Sequence, residues 1–306
     1  VNLPAGTAGA VVAIKDYANT FDTNACTLVQ NGSDKIGGST VNAILSIEGL
    51  AVTLVFIDST QGWLVTDSGL QSEAPGAQYI IATSPCVATV GDYKIHTFTG
   101  PGALCVSNAG NVGGSNTIDY LVVAGGGGGG TDQGGGAGAG GYRESPGTAS
   151  GCYSVSPIAG GTAITATVTS YPIVVGSGGT GASLSPALAT QGSNSSALGI
   201  ISTGGGIGGT YPTSPSTNLN GGPGGSGGGG GGNCSVSPGG TGNTPPTSPA
   251  QGTNGGTTPS GPAFYGSSGG GATGAGASNC TGGTGATSSI TNSSVNRAGG
   301  GGGRST

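Results

Sequence analysis

The stretch Asp119-Tyr120-Leu121-Val122-Val123-Ala124, followed directly by Gly125–Gly130, decides how this chain is read. A strand-like segment runs without a break into polyglycine. Of 73 glycines, 15 precede residue 121, which leaves 58 in residues 121–306, with further runs at Gly227–Gly232 and Gly299–Gly303. There is no Gly-X-Y period, and glycine at this density ordinarily marks low-complexity disorder rather than collagen. Fixing one backbone unit costs roughly 1–2 kcal/mol, and glycine loses the most freedom of any residue. Polyglycine has no side chains whose burial offsets that cost. An ordered form must therefore be held by backbone hydrogen bonds and close packing of extended strands.

The geometry this predicts is left-handed and extended, with three residues per turn, ~3.1 Å rise and no internal hydrogen bonds. Packed side by side, such strands pair their amides with neighbours, and glycine alone lets backbones approach from every side. The glycine-rich part is not uniform. Ile164–Val168, Ile173–Val175 and Leu198–Ile201 read as short apolar strands that anchor it laterally. Glu144–Pro157, Tyr211–Leu219 and Asn233–Pro249 read as loops at the ends of the bundle.

Upstream, strand-like runs alternate with turn signals. Ala10–Ile14, Thr27–Gln30, Ile44–Ile47, Val52–Ile57 and Trp63–Thr66 are separated by Asn31-Gly32, Gly37-Gly38, Glu48-Gly49 and Gln61-Gly62, which favour tight turns with positive φ. Ser68–Pro85 reads as a connector, followed by strands at Val87–Val90, Tyr93–Thr99 and Leu104–Val106. No stretch carries a helical period. The expected fold is all-β: a β-rich unit over residues 1–67, a connector over 68–86, a β neck over 87–118 and a glycine-rich bundle over 119–306. A unit of such short strands has few residues for a core of its own, and such units commonly gain burial by oligomerising.

Charged residues make up only 6% of the chain, against about a quarter in ordinary domains. The six Lys and Arg are scattered, so no basic stripe exists to neutralise phosphates, and nucleic-acid binding is not expected. Runs such as Val52–Ile57 are far too short to span a bilayer, so membrane insertion is not expected either. The chain contains no methionine. It is expected to be processed or, the better fit, a stretch of something longer. Six cysteines (Cys26, Cys86, Cys105, Cys152, Cys234, Cys280) are widely spaced without a C-x-x-C pair. Their spacing allows disulfides and buried thiols alike and supports no zinc site.

These residues resemble the glycine-rich domain of phage tail fibres and tail-tip adhesins. The strand feeding Gly125–Gly130 carries the resemblance, with Ile95-His96-Thr97-Phe98-Thr99-Gly100 as a lead-in. Pro172-Ile173-Val174-Val175-Gly176-Ser177-Gly178-Gly179, Gly192-Ser193-Asn194-Ser195-Ser196, Gly204-Gly205-Gly206 and Arg297-Ala298-Gly299–Gly303 complete it over about residues 93–303. Leu3–Thr66 is more loosely similar to small β repeats of fibre shafts. Members often finish with a β-branched strand after the last glycines, and this sequence stops before one, which supports a fragment or trimmed chain. The resemblance implies a homotrimeric, virion-attached, extracellular fibre joined to other tail or fibre proteins. Its distal glycine-rich domain would touch a host glycan or outer-membrane protein.

Loop aromatics are the candidate receptor contacts: Tyr142, Tyr153, Tyr211, Phe264 and Tyr265. Rigid rings offer area at low entropy cost and stack on sugar faces. The plain alternative is that they plug the bundle ends. His96 is the sole histidine; in a threefold fibre its copies could meet around a metal, but an ordinary strand histidine is the simpler reading. A phosphate cradle at Gly125–Gly130 is rejected, because neither Gly-Lys-Ser/Thr nor a helix follows. Asp58, Asp67 and Glu73 are the only nearby carboxylates for glycan cleavage, a reaction that needs a pair roughly 5–10 Å apart. Turn and surface roles explain them better, so no enzyme activity and no cofactor are expected. Five Asn-x-Ser/Thr triplets (Asn31, Asn194, Asn233, Asn279, Asn292) are expected by chance in so Ser/Thr-rich a chain. The expected function is attachment to a host surface through loops at the end of the bundle. The alternatives are a subunit of an extracellular glycine-rich filament and, more remotely, an ice-binding bundle.

Overall fold

The computed structural model describes residues 1–70, 78–112, 114–149, 153–183, 187–211, 219–232, 235–260 and 265–304. Among them the fold is all-β, with short antiparallel strands, no helix and no closed barrel. The chain divides into two units, Val1–Ala77 and Gln78–Thr306.

The first unit holds β1 (Val11–Lys15), β2 (Cys26–Leu28), β3 (Ala43–Leu45), β4 (Leu50–Phe56) and β5 (Trp63–Leu70). β4 lies between β1 and β5, and a register shift at Thr53/Leu54 marks a bulge against β5. The alternation of β4 sends Val52, Leu54 and Phe56 inward, where they meet Leu3, Leu28 and Trp63. Phe56 and Trp63 pack edge to face, ring centroids 5.5 Å apart, the orientation their quadrupoles favour. The core is small, as short strands dictate, yet it closes within one chain and leaves Trp63 fully buried.

Asp16 pins the turn after β1. Its buried carboxylate accepts from the amides of Thr20 (3.1 Å), Phe21 (3.0 Å) and Gly49 (3.0 Å). Burial alone would raise its pKa, but the amides of Phe21, Thr20 and Gly49, with Lys15, outweigh it and hold the carboxyl below its ordinary value of 3.8. A depressed folded pKa contributes stability that is present above the unfolded value and lost as pH falls through the folded one. The first unit, followed by the fluorescence of Trp63, the chain's only tryptophan, should thus weaken as pH drops below about 4. Asp16→Asn should flatten that dependence; an unchanged acid limb in the variant would refute the assignment.

The stretch expected as a connector holds strand residues in each unit. β5 continues to Leu70, and β6 (Ile80–Thr83) lies inside the expected connector; its apolar residues pair with β9 (Gly102–Ala109). β7 (Val87–Val90) and β8 (Tyr93–His96) form a hairpin. β14 (Ser170–Ile173), from the glycine-rich half, pairs with the other edge of β9. Leu104, Val106 and Ile173 form the core there, so the chain has no break near residue 118. Short pairs follow: β10 (Thr117–Ile118) with β13 (Ile164–Thr165), and β11 (Leu121–Val123) with β12 (Tyr142–Glu144). Two hairpins complete the set, β15 (Ser195–Ala197) with β16 (Ile200–Ser202), and β17 (Ala286–Ser288) with β18 (Val295–Arg297). The β15–β16 turn places Leu198 and Gly199 at φ 54° and 78°, as a two-residue type I′ turn requires.

Beyond β11 the chain runs in extended ribbons joined edge to edge in every direction. Residues 224–232 lie at the centre. Ser226 and Gly229 donate to Ala139 and Gly136, Gly227 and Gly230 to Thr253 and Gly256, and Gly228 and Gly231 to Gly222 and Leu219. Conversely, Gly206 and Gly209 donate to Ser226 and Gly229, Ser267 and Gly270 to Gly230 and Gly227, and Gly240 and Asn243 to Gly228 and Gly225. All twelve bonds are 2.7–3.0 Å long. Each partner segment recurs at every third residue, so six ribbons surround this one. Residues 125–130 behave alike: Gly125 and Gly128 donate to Ser193 and Thr190, and Gly127 and Gly130 to Gly138 and Gly135. Gly179 and Ala182 in turn donate to Gly126 and Gly129, and Gly205 and Gly208 to Gly125 and Gly128.

None of the glycines in 125–130 or 227–232 has φ in the left-handed region. What they supply is the missing Cβ. A Cβ on Gly228 would overlap the Ile207 carbonyl, and one on Gly227 the Gly240 carbonyl. Where side chains do enter the bundle they are small and mostly hydroxylic. Ser226 and Thr258, both fully buried, donate at 3.0 Å to the Gly271 and Gly230 carbonyls.

Candidate functional site

The registers make successive ribbons run up and down, so the described ribbon termini gather at two ends. Segments 125–130 and 134–141 are antiparallel, as are 203–210 and 219–222, 224–232 and 237–242, and 265–271 and 299–304. At one end lie β11, β12 and the hairpins β15–β16 and β17–β18. At the other lie the ribbon ends Gly130, Ala182, Thr210, Gly232, Thr258 and Ala277, with the ribbon starts Gly134, Ala189, Leu219, Ser237, Tyr265 and Gly282. The stretch Asn233–Pro249, expected to be one loop, instead contains a ribbon: Gly240 donates to Gly228 and Asn243 to Gly225. Its short Gly-Gly core, flanked by Ser, Thr and Pro, concealed it.

The candidate aromatics divide between these ends. Tyr142 is 1% exposed, the first residue of β12, and its phenol donates to Glu144 Oε2 at 2.8 Å. Burial, then that hydrogen bond, pushes its pKa above the usual tyrosine range. No ring surface is left for a ligand, which corrects its reading as a loop contact. Glu144, likewise expected in a loop, is 2% exposed and also accepts from the Ser156 amide (3.0 Å) and Ser288 Oγ (2.5 Å). Tyr153, half-buried at the same end, lies 3.3 Å from Ser145 Oγ. Burial pushes its pKa up to about 12, with Asp119 and Glu144 adding to the rise and the Ser145 hydrogen bond opposing it.

Tyr211 and Tyr265 stand at the opposite end, both half-buried. Tyr211 lies two residues after Gly209, whose amide donates to Gly229, and Tyr265 precedes Gly266, whose amide reaches the Arg304 carbonyl at 3.2 Å. Phe264 lies outside the described residues. Nearby, Gly232 donates to Gln133 at 2.6 Å, and Arg304 Nη1 donates to the Asp132 carbonyl at 3.2 Å. Thr131-Asp132-Gln133 therefore share the end with Tyr211 and Tyr265. Sequence reading passed over them, though three polar residues interrupting a glycine run are themselves the signal of a reversal. His96, in β8, has its Nδ1 2.8 Å from Ser84 Oγ; burial, then Lys94, lowers its pKa.

An all-β unit whose second half is knit from glycine ribbons defines a glycine-rich scaffold that carries loops at its ends. The chain belongs to the glycine-rich domain family, whose model matches residues 105–306. The match starts inside β9 and covers every ribbon. A search of curated proteins found no match.

Proposed function

We propose that this chain is the host-attachment segment of a phage tail fibre or tail-tip adhesin, acting without catalysis. The ribbons of the bundle are read as polyglycine II-like, and the assembled fibre as a trimer joined to other tail proteins in the virion. One observation carries the reading: Tyr211, Tyr265 and the Thr131-Asp132-Gln133 reversal stand at one end of ribbons whose central member is hydrogen-bonded to six neighbours. Loops on such a base tend to carry recognition. Tyr211 and Tyr265 supply rigid contact area there. A surface this poor in charge, 6% of residues, suits a neutral glycan or an outer-membrane protein better than electrostatic capture. Three weak sites on one tip raise avidity by roughly 10²–10⁴.

The test is adsorption of the purified chain to host cells, with melting temperature measured in parallel. The double variant Tyr211→Ala/Tyr265→Ala should adsorb about tenfold or more weakly while melting as the parent does. Unchanged adsorption would remove these rings from the contact. Electron microscopy of the native particle discriminates further: a closed trimer with a distal tip fits, and copies repeating along an axis favour a filament subunit instead.

A further inference from the structure

A cleft of about 410 Å³ opens at the strand end, away from the loops just discussed. Its polar lining is rich in donors. Arg143, half-buried on β12, has a guanidinium for which no described residue acts as acceptor. Asn194 spends its Oδ1 on the Gly204 amide at 2.9 Å, which leaves its amide nitrogen to face the cleft. The Thr203 hydroxyl also has no partner among the described residues: the residue is engaged through its backbone, the amide donating to Gln251 Oε1 at 2.8 Å and the carbonyl accepting from Gly141 at 2.7 Å. Gln251 itself is satisfied, its Nε2 donating to the Pro245 carbonyl at 3.0 Å, and it forms a fixed floor. Ile200, Ile201 and Pro245 make an apolar wall, with Ile201 56% exposed. Among the described residues no acidic side chain lines the cleft. In a chain with six Lys and Arg and a net charge of −5, an arginine with no acceptor among the described residues at such a place is not part of a general anion attractor.

Three donors beside an apolar wall match a ligand that joins one carboxylate to a ring with a hydrocarbon face. We propose that the Arg143 cleft binds a carboxylated sugar, its carboxylate on the guanidinium and the Asn194 amide, its C–H face against Ile200, Ile201 and Pro245. A guanidinium pairs a carboxylate through two parallel hydrogen bonds, which are charge-assisted and stronger than neutral ones. The volume falls within the range of small-molecule sites. This site stands independently of the attachment loops, which lie at the other end.

The experiment is titration of the full chain with glucuronic acid, glucose and acetate, followed by chemical-shift changes and calorimetry. Glucuronic acid should bind saturably and about tenfold or more tightly than glucose or acetate. Arg143→Gln should reduce that affinity about tenfold or more. Ile201→Asp, an exposed change that puts an anion on the wall, should do the same if Arg143→Gln fails to fold. Tyr211→Ala should leave glucuronic acid binding unchanged, which separates this site from the attachment reading. Glucose binding as tightly overturns the carboxylate assignment, and acetate binding as tightly overturns the sugar. Undiminished binding in both cleft variants overturns the site itself.

Discussion

Gly228→Val should sharply lower the melting temperature of the second unit. Its Cβ would occupy the space of the Ile207 carbonyl oxygen, so residues 203–210 must move away from 224–232. The bonds from Gly222 to Ile207, from Gly225 to Gly204 and from Gly209 to Gly229 lie in the path of that movement. Overpacking costs typically 1–3 kcal/mol, and each lost hydrogen bond about 1 kcal/mol, so a loss of about 4 kcal/mol is expected. For a unit of this size that is a drop of roughly 10 °C. The sharper comparison lies within one run. A Cβ on Gly127 would overlap the Gly206 carbonyl, and one on Gly128 the Thr180 carbonyl, whereas one on Gly126 meets nothing nearer than the Gly138 oxygen at an ordinary 3.7 Å and one on Gly129 the Gly135 oxygen at 3.8 Å. Gly127→Ala should therefore destabilise, while Gly126→Ala stays neutral or gains a few tenths of a kcal/mol from a stiffer unfolded chain. Equal effects at 126 and 127 would dispose of the idea that backbone approach, rather than backbone freedom, requires glycine here.

The second large effect concerns Glu144. Its carboxylate ties β12 to Ser156 and, across 144 residues, to Ser288 on β17. Glu144→Ala leaves the Tyr142 phenol, the Ser156 amide and the Ser288 hydroxyl without their acceptor, in a place with no access to water. Truncating the charged partner of such a buried cluster costs about 3–5 kcal/mol. Tyr142→Phe removes one donor only and should cost about 1 kcal/mol. Hydrogen exchange localises the loss: amides of the β17–β18 hairpin should lose protection first in Glu144→Ala. Exchange and melting as in the parent would mean that the cluster does not hold the hairpin.

Much of this architecture was legible where the signal is local. β1, β4, β7 and β11 fall within two residues of the apolar runs that announced them, because period-2 alternation and flanking Gly turns are properties of a few neighbouring residues. β6 was hidden because Pro75-Gly76 lent its whole neighbourhood the look of a linker. The buried state of Tyr142 and Glu144 was not visible either. A Gly-Gly-Tyr-Arg-Glu-Ser stretch has the composition of a loop, and only its pairing with Leu121–Val123 makes it a strand. The division of the loop aromatics between two ends lay further out of reach. Which end a connection occupies depends on how many reversals precede it, and short ribbons such as 219–222 and 237–242 carry no side-chain pattern to reveal them. The arginine cleft needed β12, β16 and the Pro245 region together, and from Arg143 to Pro245 these span about a hundred residues of sequence.

The way the bundle is buried has a thermal consequence. Exposing hydrocarbon raises the heat capacity on unfolding, and exposing peptide groups lowers it. The interior around residues 224–232 is almost all amide and hydroxyl, so the two contributions nearly offset each other per residue there. The stability curve of this unit should be shallow, changing little between refrigeration and body heat, with its cold limit displaced far below that of an oil-filled domain of equal length.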